Sequence, residues 1–111
     1  MRAIIVDDEP NIRKVLKVIL SESAFEVHEA SDIADAVDLI NKHYFDIAIV
    51  DLRLSDGSGI DLLKTIKEQY PETVVLIITA FASSDTAIAA MKLGAYDYVT
   101  KPFNIDEIRI V

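Results

Sequence analysis

The chain alternates short, wholly apolar runs with longer stretches of helical period. Ala3 to Val6 is apolar at every position, as a strand covered on both faces must be. Pro10 fits the first turn of a helix, and Ile12, Val15, Leu16, Ile19 and Leu20 then fall on one face. Glu26-Val27-His28-Glu29-Ala30 alternates polar with apolar and predicts a half-exposed edge strand. Ser31 or Asp32 caps a second helix with Ile33, Ala36, Val37 and Ile40 inward. Ile47 to Val50 is the next apolar strand, followed by a loop with two glycines, Ser55-Asp56-Gly57-Ser58-Gly59. Ile60, Leu63, Ile66, Lys67 and Tyr70 mark a third helix, stopped by Pro71. Val74 to Ile78 is a third apolar run. Ser83 or Ser84 starts a fourth helix through Ala87, Ile88 and Met91, and Gly94 ends it. Tyr96 to Thr100 is the last strand. Asn104 and Glu107 have the spacing of a capping box for a fifth helix, cut short at Val111.

Five β-α repeats predict an α/β fold: a doubly wound parallel sheet with right-handed crossovers. Five strands favour the order 2-1-3-4-5, which makes the second strand an edge and matches its alternating pattern. The 111 residues suit one domain, residues 1–111, with a single core. Hydrophobic residues make up 51% and charged residues 27%, which excludes disorder. Without Cys there is neither a disulfide framework nor a thiolate metal site. The net charge of -8 argues against direct nucleic-acid binding, which needs Lys and Arg to displace counterions. No membrane span is expected: the longest apolar stretch, Val74 to Ala82, is interrupted by Thr79. The first apolar run passes directly into Asp7-Asp8-Glu9, unlike a signal peptide. A cytoplasmic location is the expectation.

The polar residues at strand ends carry the chemistry. The first strand ends in Asp7-Asp8, the third in Asp51, the fourth in Thr79 and the fifth in Thr100-Lys101. In an open α/β sheet the ligand crevice lies beyond these carboxyl ends, at the switch point of strand order. Asp7, Asp8, Asp51, Thr79 and Lys101 therefore converge. Carboxylates ~4 Å apart at an effective dielectric near 20 repel by about 4 kcal/mol per pair. Lys101 supplies one compensating charge, and a divalent cation would supply the rest. All-oxygen ligands without Cys or a nearby His favour Mg²⁺ over zinc. An Asp beside Mg²⁺, a Lys and a hydroxyl has the parts for carboxylate attack on a phosphoryl group.

Taken singly, each residue has a plainer explanation. A lone Asp after a strand is usually an N-cap, a lone Lys a solvated charge, and Thr79 a strand residue. Their co-occurrence at four adjacent strand ends favours the site. His28 and His43 lie away from the crevice end and read as surface histidines. Gly57 and Gly59 lack the spacing of a phosphate-binding fingerprint.

These residues together resemble the receiver domain of two-component response regulators. The matching motifs are Ile-Val-Asp-Asp-Glu at 5–9, Ile-Val-Asp-Leu at 49–52, Thr-Ala at 79–80 and Lys-Pro-Phe at 101–103. The stretch from Ala90 to Tyr98 is similar to the NtrC class, whose members drive transcription through sigma-54. The resemblance implies a flavodoxin-like, CheY-like fold and a cytoplasmic phosphorelay switch. Asp51 would accept phosphate from a sensor histidine kinase. Asp8 and the Arg53 carbonyl would ligate Mg²⁺ with Asp51, and Asp7 would act through a water. Lys101 would contact the phosphoryl group, and Thr79 would bond to it as Tyr98 turns inward. Backbone N–H groups of Arg53 and Ala80 would line it, and the Lys101–Pro102 bond would be cis. The output would be a changed face of the fourth helix, fifth strand and fifth helix, acting on a module C-terminal to Val111 and available for homodimerisation. The domain would catalyse only its own phosphorylation and dephosphorylation.

The family generally carries Pro four residues after the phosphoacceptor, where this chain has Ser55. That frees an N–H but removes no catalytic group. One alternative is a receiver-like interaction module that never takes phosphate; the complete acid, Thr and Lys set speaks against it. Another is a phosphohydrolase resembling the haloacid dehalogenase class. It would need a second Asp two residues after the nucleophile, where this chain has Arg53.

Overall fold

In the computed structural model, residues 1–80 and 84–103 are described. Five strands form one parallel sheet: β1 (Arg2–Val6), β2 (Glu26–Ala30), β3 (Ile47–Asp51), β4 (Val74–Thr79) and β5 (Asp97–Thr100). Their order is β2-β1-β3-β4-β5, as expected, with β2 and β5 at the edges. The helices are α1 (Pro10–Glu22), α2 (Ile33–Lys42), α3 (Gly59–Gln69) and α4 (Ser84–Lys92). The expected fifth helix, with Asn104 and Glu107, lies outside the described residues, as do Phe81 and Ser83.

The runs Ala3 to Val6, Ile47 to Val50 and Val74 to Ile78 of the three central strands are wholly apolar because both sheet faces are covered there. Ile4, Val6, Ala48, Val50, Val75 and Ile77 point to one face, against Ala36 and Ile40 of α2, Leu62, Leu63 and Ile66 of α3, and Ala90 of α4. Ala3, Ile5, Ile47, Ile49, Leu76 and Ile78 point to the other, against Leu16, Ile19 and Leu20 of α1. Each buried Ile or Leu contributes roughly 1.5–3 kcal/mol relative to exposure. One-residue slips would exchange the faces, so the register is strongly fixed.

Ends and turns follow local chemistry. Asp32, and not Ser31, caps α2: its carboxylate accepts from Asp35 N at 2.8 Å. Asp56 reaches the same helix end, accepting from Ile33 N and Ala34 N. This pins the loop after β3 to α2 and holds the Asp56 carboxyl below the ordinary carboxylate range. Within that loop Arg53–Leu54 and Gly57–Ser58 pair as a short antiparallel ribbon. Gly94, at φ +102°, ends α4, and Ala95 N reaches back to Ala90 O.

Some sequence expectations shift. Val15 of α1 is exposed, so that helix buries a narrower stripe. Ile88 and Met91 also face solvent, and α4 docks through Ala90 instead. β5 begins at Asp97, leaving Tyr96 outside it. His28 and His43 are half-buried and stack with ring centroids 4.9 Å apart, edged by Phe45. They are therefore packed side chains, not free surface groups.

Candidate functional site

Strand register brings the polar strand ends into one line. Val6 pairs with Val50, Asp51 with Ile78, and Thr79 with Thr100. Asp7, Asp51, Thr79 and Lys101 consequently sit at the same edge of the sheet. Asp7, Asp51 and Thr79 are buried, whereas Asp8 and Ala80 are exposed.

Lys101 closes the group. Its Nζ lies 2.9 Å from Asp7 Oδ2 and 3.0 Å from Asp51 Oδ2. A third acid, Glu9, approaches it at 3.4 Å from the rim. Sequence reasoning passed over Glu9, although it directly follows the acid pair. The lysine side chain is 10% exposed. Burial works against its charge, but hydrogen bonds to Asp7 and Asp51 outweigh this and raise its pKa. The Lys101–Pro102 peptide bond is cis, and Lys101 N donates to Thr79 O.

Asp7 is held from several sides. Its N donates to Ala30 O, its Oδ1 accepts from Glu9 N, and its carbonyl accepts from Arg13 Nη1 at 2.6 Å. Even so, burial dominates and pushes its carboxyl above the ordinary carboxylate range; Lys101 and the Glu9 amide only partly offset it. Asp51 Oδ1 accepts from Arg53 N at 3.3 Å. Behind it, Gly59 N donates to Leu52 O, and a Cβ on Gly59 would collide with the Asp51 carbonyl oxygen. Gly59 therefore matters through close backbone approach, which its spacing to Gly57 did not reveal.

One oxygen each from Asp7, Asp8 and Asp51 lie within 4.8 Å of one another. Three hard oxygen donors at that separation fit a small divalent cation. Lys101 offsets only one of the three charges, and Asp8 makes no hydrogen bond or ion pair among the described residues. Tyr98 lies on β5 and is 40% exposed, turned outward. The sequence matches the response regulator receiver domain over residues 3–111.

The chain belongs to the response regulator receiver domain family. It is 43% identical over 108 residues to the response regulator protein PilR of Pseudomonas aeruginosa, covering 97% of this chain and 24% of that protein. It is similar to the beryllofluoride-activated NtrC4 receiver domain dimer, with 36% identity and a TM-score of 0.89 over 96% of this chain and 88% of that one. A response regulator from Burkholderia pseudomallei with a phosphorylated aspartic acid, calcium ion and citrate aligns with 30% identity and a TM-score of 0.90, over 96% of this receiver domain and 63% of that chain. The receiver domain is thus related to NtrC-type regulators and spans about a quarter of the length of relatives such as PilR, AtoC and NtrC. No helix among its described residues is long and apolar enough to cross a membrane.

Proposed function

We propose that residues 1–111 are the receiver domain of a longer cytoplasmic regulator and act as a phosphorylation switch. The observation that carries this is the buried Asp51 carboxylate, bonded to Lys101 and sharing a 4.8 Å cluster with Asp7 and Asp8. An Asp51 oxygen attacks the phosphorus of a phosphohistidine on a sensor kinase; the P–N bond breaks and an aspartyl phosphate forms. Mg²⁺, held by Asp8, Asp51 and the Arg53 carbonyl, with Asp7 through a water, would neutralise the phosphoryl oxygens. Lys101 moves from its paired carboxylates toward the new dianion. The N–H groups of Arg53 and Ala80 and the Thr79 hydroxyl donate to its remaining oxygens. The calcium ion and phosphorylated aspartic acid of the Burkholderia pseudomallei relative support this assignment.

Movement of Thr79 toward the phosphoryl group leaves space into which Tyr98 turns. The face bearing Ile88, Met91 and Tyr98 then changes. That change controls a C-terminal output module, in keeping with transcription control by sigma-54 activators, and permits homodimerisation as in the NtrC4 receiver dimer. The test is incubation with acetyl phosphate and Mg²⁺, read by intact mass. One phosphoryl group should be added, none in chelator and none in Asp51→Asn. Full labelling of that variant would overturn the assignment.

A further inference from the structure

We propose that Arg13 is a positioning residue for the metal-binding loop, setting the place of Asp7 and Asp8 from the first turn of α1. The inference rests on the divalent-cation reading of the acid cluster. Arg13 Nη1 donates to the Asp7 carbonyl at 2.6 Å, while its Nε lies 3.4 Å from Glu29 Oε1 on β2. One planar fork thus ties three elements: the acidic loop, the helix that follows it and the edge strand. The side chain is 18% exposed, so the contact is largely shielded from water. Charge-assisted hydrogen bonds in such settings are shorter and stronger than neutral ones.

The loop has need of this strut. The α1 N-cap is Glu9, whose side chain makes no capping hydrogen bond. Its first helical bond, Arg13 N to Glu9 O, already runs to Arg13. The polar atoms of Asp7 are each accounted for, by Ala30, Glu9, Lys101 and Arg13. Asp8 has no tie of its own among the described residues, so its carboxylate is placed by the peptide that Arg13 grips. Without the grip, mutual repulsion of the acids would splay the loop. Glu29 holds the guanidinium in place and offsets its charge, with Lys17 reaching the same carboxylate at 3.5 Å. Arg13 thereby braces the loop without simply competing with the cation.

Isothermal titration of Mg²⁺ alone into the protein tests this, with thermal unfolding in chelator measured alongside. Arg13→Ala should bind Mg²⁺ about 10-fold more weakly, the range found when outer partners of metal ligands are removed. Arg13→Lys, which keeps the charge but not the fork, should recover part of the loss. Glu29→Gln should fall between wild type and Arg13→Ala. A merely structural role would lower the unfolding temperature in chelator and leave Mg²⁺ affinity unchanged. Affinity of Arg13→Ala equal to or tighter than wild type would overturn the proposal, the tighter result showing charge repulsion to dominate. If Arg13→Ala fails to fold, wild-type affinity in both Arg13→Lys and Glu29→Gln overturns it. Absence of Mg²⁺ binding in the wild type would instead remove the cation reading itself, and this proposal with it.

Discussion

An acid stands at each end of the β1–β2 pair, Glu26 at the start of β2 and Asp7 directly after β1, and the two ends behave oppositely. At the amino end Glu26 lies across from Arg2, accepts its Nε at 2.6 Å and meets His28 Nε2 at 2.8 Å. The hydrogen bonds from His28 and then Arg2 lower its pKa to about 2. At the carboxyl end Asp7 is buried, and burial raises its pKa in spite of Lys101. Glu26 has the Arg2 guanidinium to itself and a second hydrogen bond from His28. The carboxyl-end acids have one lysine among them. Partners settle an exposed acid cheaply, whereas burial of crowded acids leaves free energy that a bound cation or a transferred group can recover. The first end is architecture and the second is a site held in readiness.

Removing the shared partner should expose this difference most. Lys101→Ala leaves Asp7 and Asp51 buried without a cation and should cost about 4 kcal/mol in chelator, measured by urea unfolding. Arg2→Ala at the other end should scarcely move the midpoint. Equal losses would show the two ends to be alike. Gly59→Ala comes next. The new methyl group meets backbone at Asp51 and Leu52, which cannot swing aside, so a loss of about 3 kcal/mol is expected. Slower labelling by acetyl phosphate should accompany it, since the displaced segment carries the Asp51 carboxylate. The smallest effect is at Glu26. Its pKa is lowered on folding, so its contribution is present above the ordinary value of 4.5 and is lost as pH falls toward about 2. Carboxyl carbon shifts in an acid titration should place its midpoint at about 2, and Arg2→Ala should raise it.

The sheet order and the identity of the crowded acids were legible because both follow from repeating local rules. Wholly apolar runs at Ala3 to Val6, Ile47 to Val50 and Val74 to Ile78 admit little besides buried parallel strands. The acids then lie where chain order must bring strand ends together. What was not legible depends on contacts between elements. Helical period placed Val15, Ile88 and Met91 on apolar stripes, yet it does not say how wide a stripe the neighbours cover. The stacking of His28 and His43 crosses from β2 to the segment after α2, and no local pattern announces it. Arg13 reads as one more polar position on α1. Its spacing of six residues from Asp7 becomes meaningful only once the loop is seen to fold the Asp7 carbonyl toward it.

If the carboxyl-end acids oppose one another until a divalent cation joins them, thermal unfolding of wild type and Asp8→Asn, each in chelator and in Mg²⁺, will separate the two proteins. Asp8 is exposed and makes no ion pair among the described residues, so removing its charge sacrifices no contact there. In chelator Asp8→Asn should be the more stable by about 1 kcal/mol, through relief of repulsion. In Mg²⁺ at about tenfold over its dissociation constant, the wild type should gain about 1.4 kcal/mol by mass action while the variant gains little. The order of stabilities should therefore reverse. If wild type is already the more stable in chelator, or if Mg²⁺ shifts both proteins equally, the acids are not in opposition.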